Sequence, residues 1–353
     1  MDLLAATAEL VAVRSESFAE GPLVELIEGR LRAVGHLEVT RVGDNLVART
    51  NRGAPLRLVL AGHTDTVPAN GNSTPRIDGD LLWGLGTADM KGGLALMLAS
   101  AEQHVSGAID VTYVFYAREE VASEHSGLGE LIEVRPDLLE GDLALLGEPT
   151  DGVIEAGCQG SIRAEVTLKG IRAHTARAWM GTNAIHRLGA LLVDIAAFEP
   201  RRPTIDGCEF HEAMQAVAVH GGVAGNVVPD RATLSVAHRF APDRGTEEAE
   251  ATMRALVAPH LGPDDEFVVV DVAPPAHPSL HHPLLAALIE RHRLEVRSKL
   301  GWTDVARFAA LGVAAANFGP GDPTLAHTAG EHVGRDSLER SWAVIDELVS
   351  NGI

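Results

Sequence analysis

Several stretches of this chain place a residue that can bind a metal ion or move a proton at the end of an apolar run. Leu58-Val-Leu-Ala-Gly-His-Thr-Asp65 ends on His63 and Asp65, Val111 to Ala117 leads into Arg118-Glu119-Glu120, and Leu143-Ala-Leu-Leu146 leads into Gly147-Glu148-Pro149. Val313 to Phe318 is followed by Gly319-Pro-Gly321 and, shortly after, by His327. Gly84-Leu-Gly-Thr-Ala-Asp89 adds a further carboxylate just ahead of the apolar segment Leu94 to Ala101. Imidazoles and carboxylates make a mixed nitrogen and oxygen donor set that suits zinc or a similar divalent ion, and it holds two ions when one carboxylate bridges them. Glu119 and Glu120 strengthen that reading, because adjacent carboxylates at a buried edge repel unless a cation or proton comes between them. Singly, each residue has an ordinary explanation: a structural His63, an N-capping Asp89, an exposed turn at Glu148-Pro149. Their occurrence at successive run ends favours one shared centre.

Such a centre needs a rim on which the run ends converge. An apolar run without alternation reads as a parallel strand buried on both faces, and in open α/β sheets ligands gather past the carboxyl ends of the strands. Asp65 points to the same side as His63 and is placed to hold one imidazole nitrogen so that the other faces a metal. Asp2 to Val13 and Pro22 to Val34 carry apolar residues at helical spacing, with Gly35 closing the second. Leu37 to Thr50 alternates as strands do around Gly43-Asp-Asn45, and strands and helices then alternate up to Glu148. After Gly157-Cys-Gln-Gly160 the pattern becomes strand, helix, strand, strand, helix, strand, running from Ile162 to Val272, an order that resembles a ferredoxin-like unit. From Pro283 the earlier pattern resumes. The expected fold is α/β: a discontinuous catalytic domain, residues 1–162 and 275–353, with a mainly parallel sheet between helices, and an inserted ferredoxin-like α+β domain at 163–274. Pro274 to Pro283, with three histidines, reads as a linker between them.

At 353 residues the chain has the length of two domains, and its formal charge of −20 includes no basic stripe able to neutralise phosphates. Nucleic acid is therefore not an expected partner. Met1 to Glu9 has no basic leader, and no stretch reaches the roughly 18 apolar residues of a membrane span, so the expectation is a cytoplasmic protein that leaves membranes alone. Cys158 and Cys208 are too few and too far apart for a disulfide framework and read as reduced thiols. Gly84-Leu-Gly86 lacks the third glycine of a dinucleotide fingerprint, and Asp89 would repel a phosphate there.

Gly62-His-Thr-Asp65, Gly86-Thr-Ala-Asp-Met-Lys-Gly92, Glu119-Glu120, Gly147-Glu-Pro149 and Ala326-His327 resemble, in that order across nearly the whole chain, the motif series of the dinuclear-zinc M20 family of peptidases and deacylases. The resemblance implies a pair of Zn2+ ions, with Co2+ as an alternative occupant, bridged by Asp89, with His63 and Glu148 on one and Glu120 and His327 on the other. It further implies that Asp65 orients His63, that Glu119 is the general base, and that the Asp89-Met90 peptide is cis. Glu155 to Gly160, Gly221 to Pro229, and Gly301 to Gly312 through Asn317 to Asp322 resemble actinobacterial members of that family that act on N-succinyl-LL-2,6-diaminopimelate. The implied reaction is hydrolysis of that amide to succinate and LL-diaminopimelate, a step of lysine and diaminopimelate synthesis. The alternative is deacylation of another N-acyl amino acid such as N-acetylornithine, or a small-peptide carboxypeptidase.

By the same resemblance the inserted domain is a lid and dimerisation domain, and His174 in Lys169-Gly-Ile-Arg-Ala-His174 reaches the active site of the partner in a homodimer to stabilise an oxyanion. Arg239, Asn226, Ser161 and Thr303 correspond to substrate contacts, the guanidinium being suited to a carboxylate. Two departures stand out. Cys158-Gln-Gly-Ser161 lacks an arginine that related chains use on a substrate carboxylate, and Gly330 stands where they place an acidic residue after the terminal histidine.

Overall fold

The structure, a computed structural model, describes residues 1–352. Two compact units divide the chain: one contains Met1–Ala156, Pro278–Arg297 and the chain from Asp304 on, and the other contains Gly157–His277 with Ser298–Thr303. The second unit starts and ends a few residues outside the expected 163–274 span, and it also takes in Ser298–Thr303, which was expected in the catalytic domain. The cause is pairing: Gly160 is already in register with Phe240 in the second unit's sheet, and Cys158 bridges Ala276.

In the first unit, among the described residues, an eight-stranded sheet runs in the order Glu38–Val42, Asn45–Arg49, Asp110–Tyr116, Arg57–His63, Leu143–Leu146, Ala314–Asn317, Ile154–Ala156, Val296–Ser298. The strands from Asp110–Tyr116 to Ala314–Asn317 pair in parallel, and antiparallel strands flank them. The parallel strands are the apolar runs of the sequence, and every residue of Asp110–Tyr116 and Leu143–Leu146 is buried. Register sets His63 against Tyr116, Ala61 against Leu146 and Leu146 against Asn317. The four strands consequently release His63, Ala117, Gly147 and Phe318 at one edge of the sheet.

Behind that edge lies the helix Gly92–Gln103, buried continuously from Gly92 to Ala101 as its apolar run from Leu94 to Ala99 requires. A side chain on Gly93 would run into the main chain of Gly147, and one on Gly319 into the carbonyls of Gly147 and Glu148. Three main chains thus meet where Glu148 leaves its strand. Ser100 on this helix bonds Tyr113 (3.0 Å), and His104 Nε2 bonds Asp346 of the helix Arg335–Asn351 (2.9 Å).

The second unit follows the order strand, helix, strand, strand, helix, strand. Its four long strands lie in the order Ala213–Gly221, Arg231–Phe240, Gly160–Lys169, Glu266–Ala273, antiparallel throughout. The helices Ala184–Ala196 and Thr246–Val257 bury Leu188, Leu191, Ala249 and Met253 against Ile162, Val166, Leu234 and Val236 of the sheet. Asn183 caps the first helix by accepting from the N–H groups of Ile185 and His186. No helix of the described residues is long and apolar enough to cross a membrane.

Candidate metal centre

The rim of the parallel sheet brings His63, Asp89, Glu120 and His327 together. His63, Asp89 and Glu120 have ligand atoms all within 4.8 Å of one another. Asp89 Oδ1 lies 3.0 Å from His63 Nε2, while its Oδ2 lies 3.5 Å from His327 Nε2, which bonds Glu120 Oε1 at 2.8 Å. The two oxygens of Asp89 therefore face two different imidazoles, the disposition of a bridging carboxylate. Glu148, buried just past its strand, acts on His63 and Glu119 as a nearby negative charge. The Asp89–Met90 peptide is cis. The centre runs from a closed end to an open one, with His63 1% exposed and the His327 side chain 51% exposed.

Asp65 does two jobs. The expectation was a carboxylate on the imidazole, but His63 Nδ1 donates to the Asp65 main-chain oxygen at 3.0 Å, with Oδ1 farther off at 3.5 Å. The carboxylate instead accepts the N–H groups of Glu119 (3.0 Å, Oδ1) and Glu120 (3.1 Å, Oδ2) and the hydroxyl of Ser17 (2.8 Å). It thereby ties the strand end at His63 to the turn carrying both glutamates. Burial alone would raise the Asp65 carboxyl, but these bonds and His63 bring it down to about 2.

The electrostatics suit a cation. The hydrogen bond to Asp89 outweighs partial burial and, with Glu120, raises His327 to about 9. Burial opposes charge on His63, yet Asp65 and Asp89 raise it well above its usual value, and both histidines depress Asp89 against its own burial. Positive charge is favoured between these groups, and a divalent ion supplies it while leaving both imidazoles neutral as ligands. The donor set thus fits such an ion. Glu119 differs: burial, then Glu148, Asp304 and Glu120, push its carboxyl well above the usual range against the pull of His63. Environments that hold a carboxyl above its ordinary range are the ones in which such a group can carry a proton between water and a leaving amine.

The other five predicted residues fall in the second unit, four of them in two pairs. His174 and Asn226 meet through the short ladder pairing His174 with Val227, and Thr175 N–H donates to Asn226 O at 3.0 Å. His174 is exposed, and its Nδ1 accepts the Ala176 N–H at 3.0 Å, which leaves the proton on Nε2. Arg239, also exposed, is the cross-strand partner of Ser161. Thr303 is buried, with its carbonyl accepting from Cys158 Sγ.

Three carboxylates of the first unit have a structural part that sequence reasoning did not assign. Glu20 accepts the N–H of Arg118 (3.2 Å), Asp304 holds Arg307 (2.7 Å), and Glu331 accepts from the N–H groups of Ala88 and Asp89 (3.0 and 3.1 Å). Glu331 is the residue after Gly330, so the loop has an acidic side chain one position later than expected. An acidic residue close behind a terminal histidine was the available signal for it.

A fold with a parallel-centred sheet whose rim gathers histidines and carboxylates defines a class of metal-dependent hydrolase scaffold. The model of the peptidase family M20/M25/M40 matches residues 59–351, and the chain belongs to that family. Among its relatives, a succinyl-diaminopimelate desuccinylase of Corynebacterium glutamicum is 41% identical over 99% of this chain and 96% of its own. A Mycobacterium tuberculosis protein that carries the same name in provisional form is 46% identical over 94% of this chain and 93% of its own. Among solved structures, a tripeptidase from Staphylococcus aureus superposes with a TM-score of 0.81 at 22% identity, covering 99% of this chain and 97% of that one, a likeness of fold.

Proposed function

We propose that this chain is a two-zinc amidohydrolase that cleaves N-succinyl-LL-2,6-diaminopimelate to succinate and LL-diaminopimelate. Asp89, with one oxygen toward His63 and the other toward His327, is the observation that carries the two-ion reading. His63 and Glu148 would hold one ion and Glu120 and His327 the other, with Asp89 shared and Co2+ an alternative to Zn2+. Bound there, the ions would polarise the amide carbonyl and acidify water at the site. Glu119 takes a proton from the attacking water and returns it to the leaving amine, and Asp65 holds Glu119 and Glu120 at the working end through their N–H groups.

The substrate half of the proposal is supported by the likeness to the Corynebacterium desuccinylase along nearly the whole of both chains. Arg239 and Ser161, paired across two strands, give a guanidinium and a hydroxyl for a carboxylate of the substrate, a role for which Cys158 has no charge to offer. Asn226 and Thr303 complete the proposed contacts. We assign the second unit, whose strand order is ferredoxin-like, as lid and dimerisation domain: in a homodimer the Nε2 proton of His174 would serve the partner's oxyanion. The strand Ala213–Gly221 supports self-association, since it lies at an edge of its sheet with Val217 and Val219 exposed. A cytoplasmic location accords with a biosynthetic reaction and with a chain that has two cysteines, both buried.

The deciding experiment compares kcat/KM of one zinc-loaded preparation for N-succinyl-LL-diaminopimelate, N-acetylornithine and a small peptide by direct detection of amide cleavage. A strong preference for the succinyl substrate is expected. Preference for acetylornithine or the peptide overturns the substrate and keeps the metal chemistry.

A further inference from the structure

We infer that Glu331 is a positioning residue of the metal centre: its hydrogen bonds lock the segment carrying Asp89 to the loop carrying His327, and so set the span across which Asp89, Glu120 and His327 would hold their ion. The inference rests on the two-ion reading above and deepens it. Glu331 is 1% exposed, and a single oxygen, Oε1, accepts from two successive amides, Ala88 N at 3.0 Å and Asp89 N at 3.1 Å. Its own carbonyl accepts from Gly84 N at 3.1 Å, and its N–H donates to Thr328 O at 3.2 Å. One residue therefore pins both ends of the Gly84 to Asp89 segment while closing the turn that follows His327.

The two ends of the centre are held by different means. His63 ends a central strand, is buried, and has its ring fixed by Asp65. His327 lies in a loop, has a left-handed backbone with φ 63°, and leaves half its side chain in solvent. The sheet positions the first imidazole, whereas the second depends on how its loop is tied down. Glu331 supplies that tie on the same peptide that carries Asp89, so the separation of His327 and Asp89 passes through it. Outer partners of this kind typically alter metal affinity by about 10–100-fold when changed.

The property that matters is reach, because two adjacent N–H groups share one acceptor. Glu331→Gln keeps an oxygen at that reach and removes the charge, whereas Glu331→Asp keeps the charge and draws the acceptor back by one methylene. Calorimetric titration of the metal-free proteins with zinc chloride separates the two. The wild type is expected to take up two ions. In Glu331→Asp one ion is expected to bind as in wild type and the other about 10–100-fold less well, while Glu331→Gln stays within about threefold on both. The inference is overturned if Glu331→Asp binds both ions with wild-type affinity, if both ions weaken equally, or if Glu331→Gln falls as far as Glu331→Asp, which would make charge the operative property. Should Glu331→Asp not fold, Glu331→Ala, which removes the acceptor, takes its place: weakening of one ion only is expected, and wild-type binding of both overturns the inference. A wild type that binds fewer than two ions fails the two-ion reading itself, whatever the variants do.

Discussion

The N–H groups of Arg118, Glu119 and Glu120 end on carboxylates, Glu20 for the first and Asp65 for the other two, so charge-assisted hydrogen bonds hold the turn that presents the proposed base. These bonds use the main chain of Glu119 and leave its carboxyl for chemistry. Truncating that side chain should accordingly spare the scaffold. Glu119→Ala is expected to retain both metal ions by elemental analysis and to lose about 10²–10⁴-fold in kcat, the usual contribution of a positioned proton carrier. Full turnover in that variant would remove Glu119 from the mechanism. At this scale the sequence was legible where chemistry-bearing residues sit next to an apolar run, as His63, Glu119 and Glu148 do. Glu20 carries no such mark, because its partner, the Arg118 N–H, comes from the fold, and so does the closeness of Asp304 to Glu119.

Elements of the second unit enclose charge as well as apolar surface. His238, on the strand Arg231–Phe240, is fully buried between the rings of Phe198 and Phe240, with Arg244 Nη2 at 3.3 Å from its Nε2. Burial first, and then the Arg244 guanidinium, lower its pKa from 6.5 to about 4, so the folded protein holds a neutral ring that the unfolded chain protonates below about 6.5. The unfolded state binds more protons in this window, and stability rises with pH across it. His238 thus contributes stability that is fully present above pH 6.5 and is lost as pH falls toward 4, amounting to about 3 kcal/mol. His238→Gln keeps an acceptor for Arg244 and does not titrate. Denaturant unfolding at a series of pH values should show a flatter slope between 6.5 and 4 for the variant, and equal slopes would assign the acid sensitivity to other groups. The alternation of Ala232 to Phe240 made the strand itself readable, whereas the charge state of its one histidine depended on Arg244, Phe198 and the helix packed over them.

At the scale of the molecule, the proposed dimer turns on the edge strand Ala213–Gly221, where an added charge opposes strand pairing. Val219→Lys, at a position 47% exposed, is expected to shift sedimentation velocity from dimer to monomer while leaving zinc content unchanged, and to lower turnover if His174 serves the partner's centre. A variant that stays dimeric moves the interface elsewhere. The sequence by itself determined the α/β alternation, the order of the run ends that carry the candidate ligands, the interruption by a second unit and the net negative charge, because periodicity, turn residues and charge are local properties of a chain. Tertiary structure decided the rest. It set the crossover between units at 156/157, since Gly160 pairs with Phe240. It divided the work of Asp65 between a carbonyl on His63 and a carboxylate on the glutamate turn. It also joined Glu331 to Ala88 across 243 residues of chain, a contact that local spacing cannot carry because it exists only after the sheet has brought both loops to one rim.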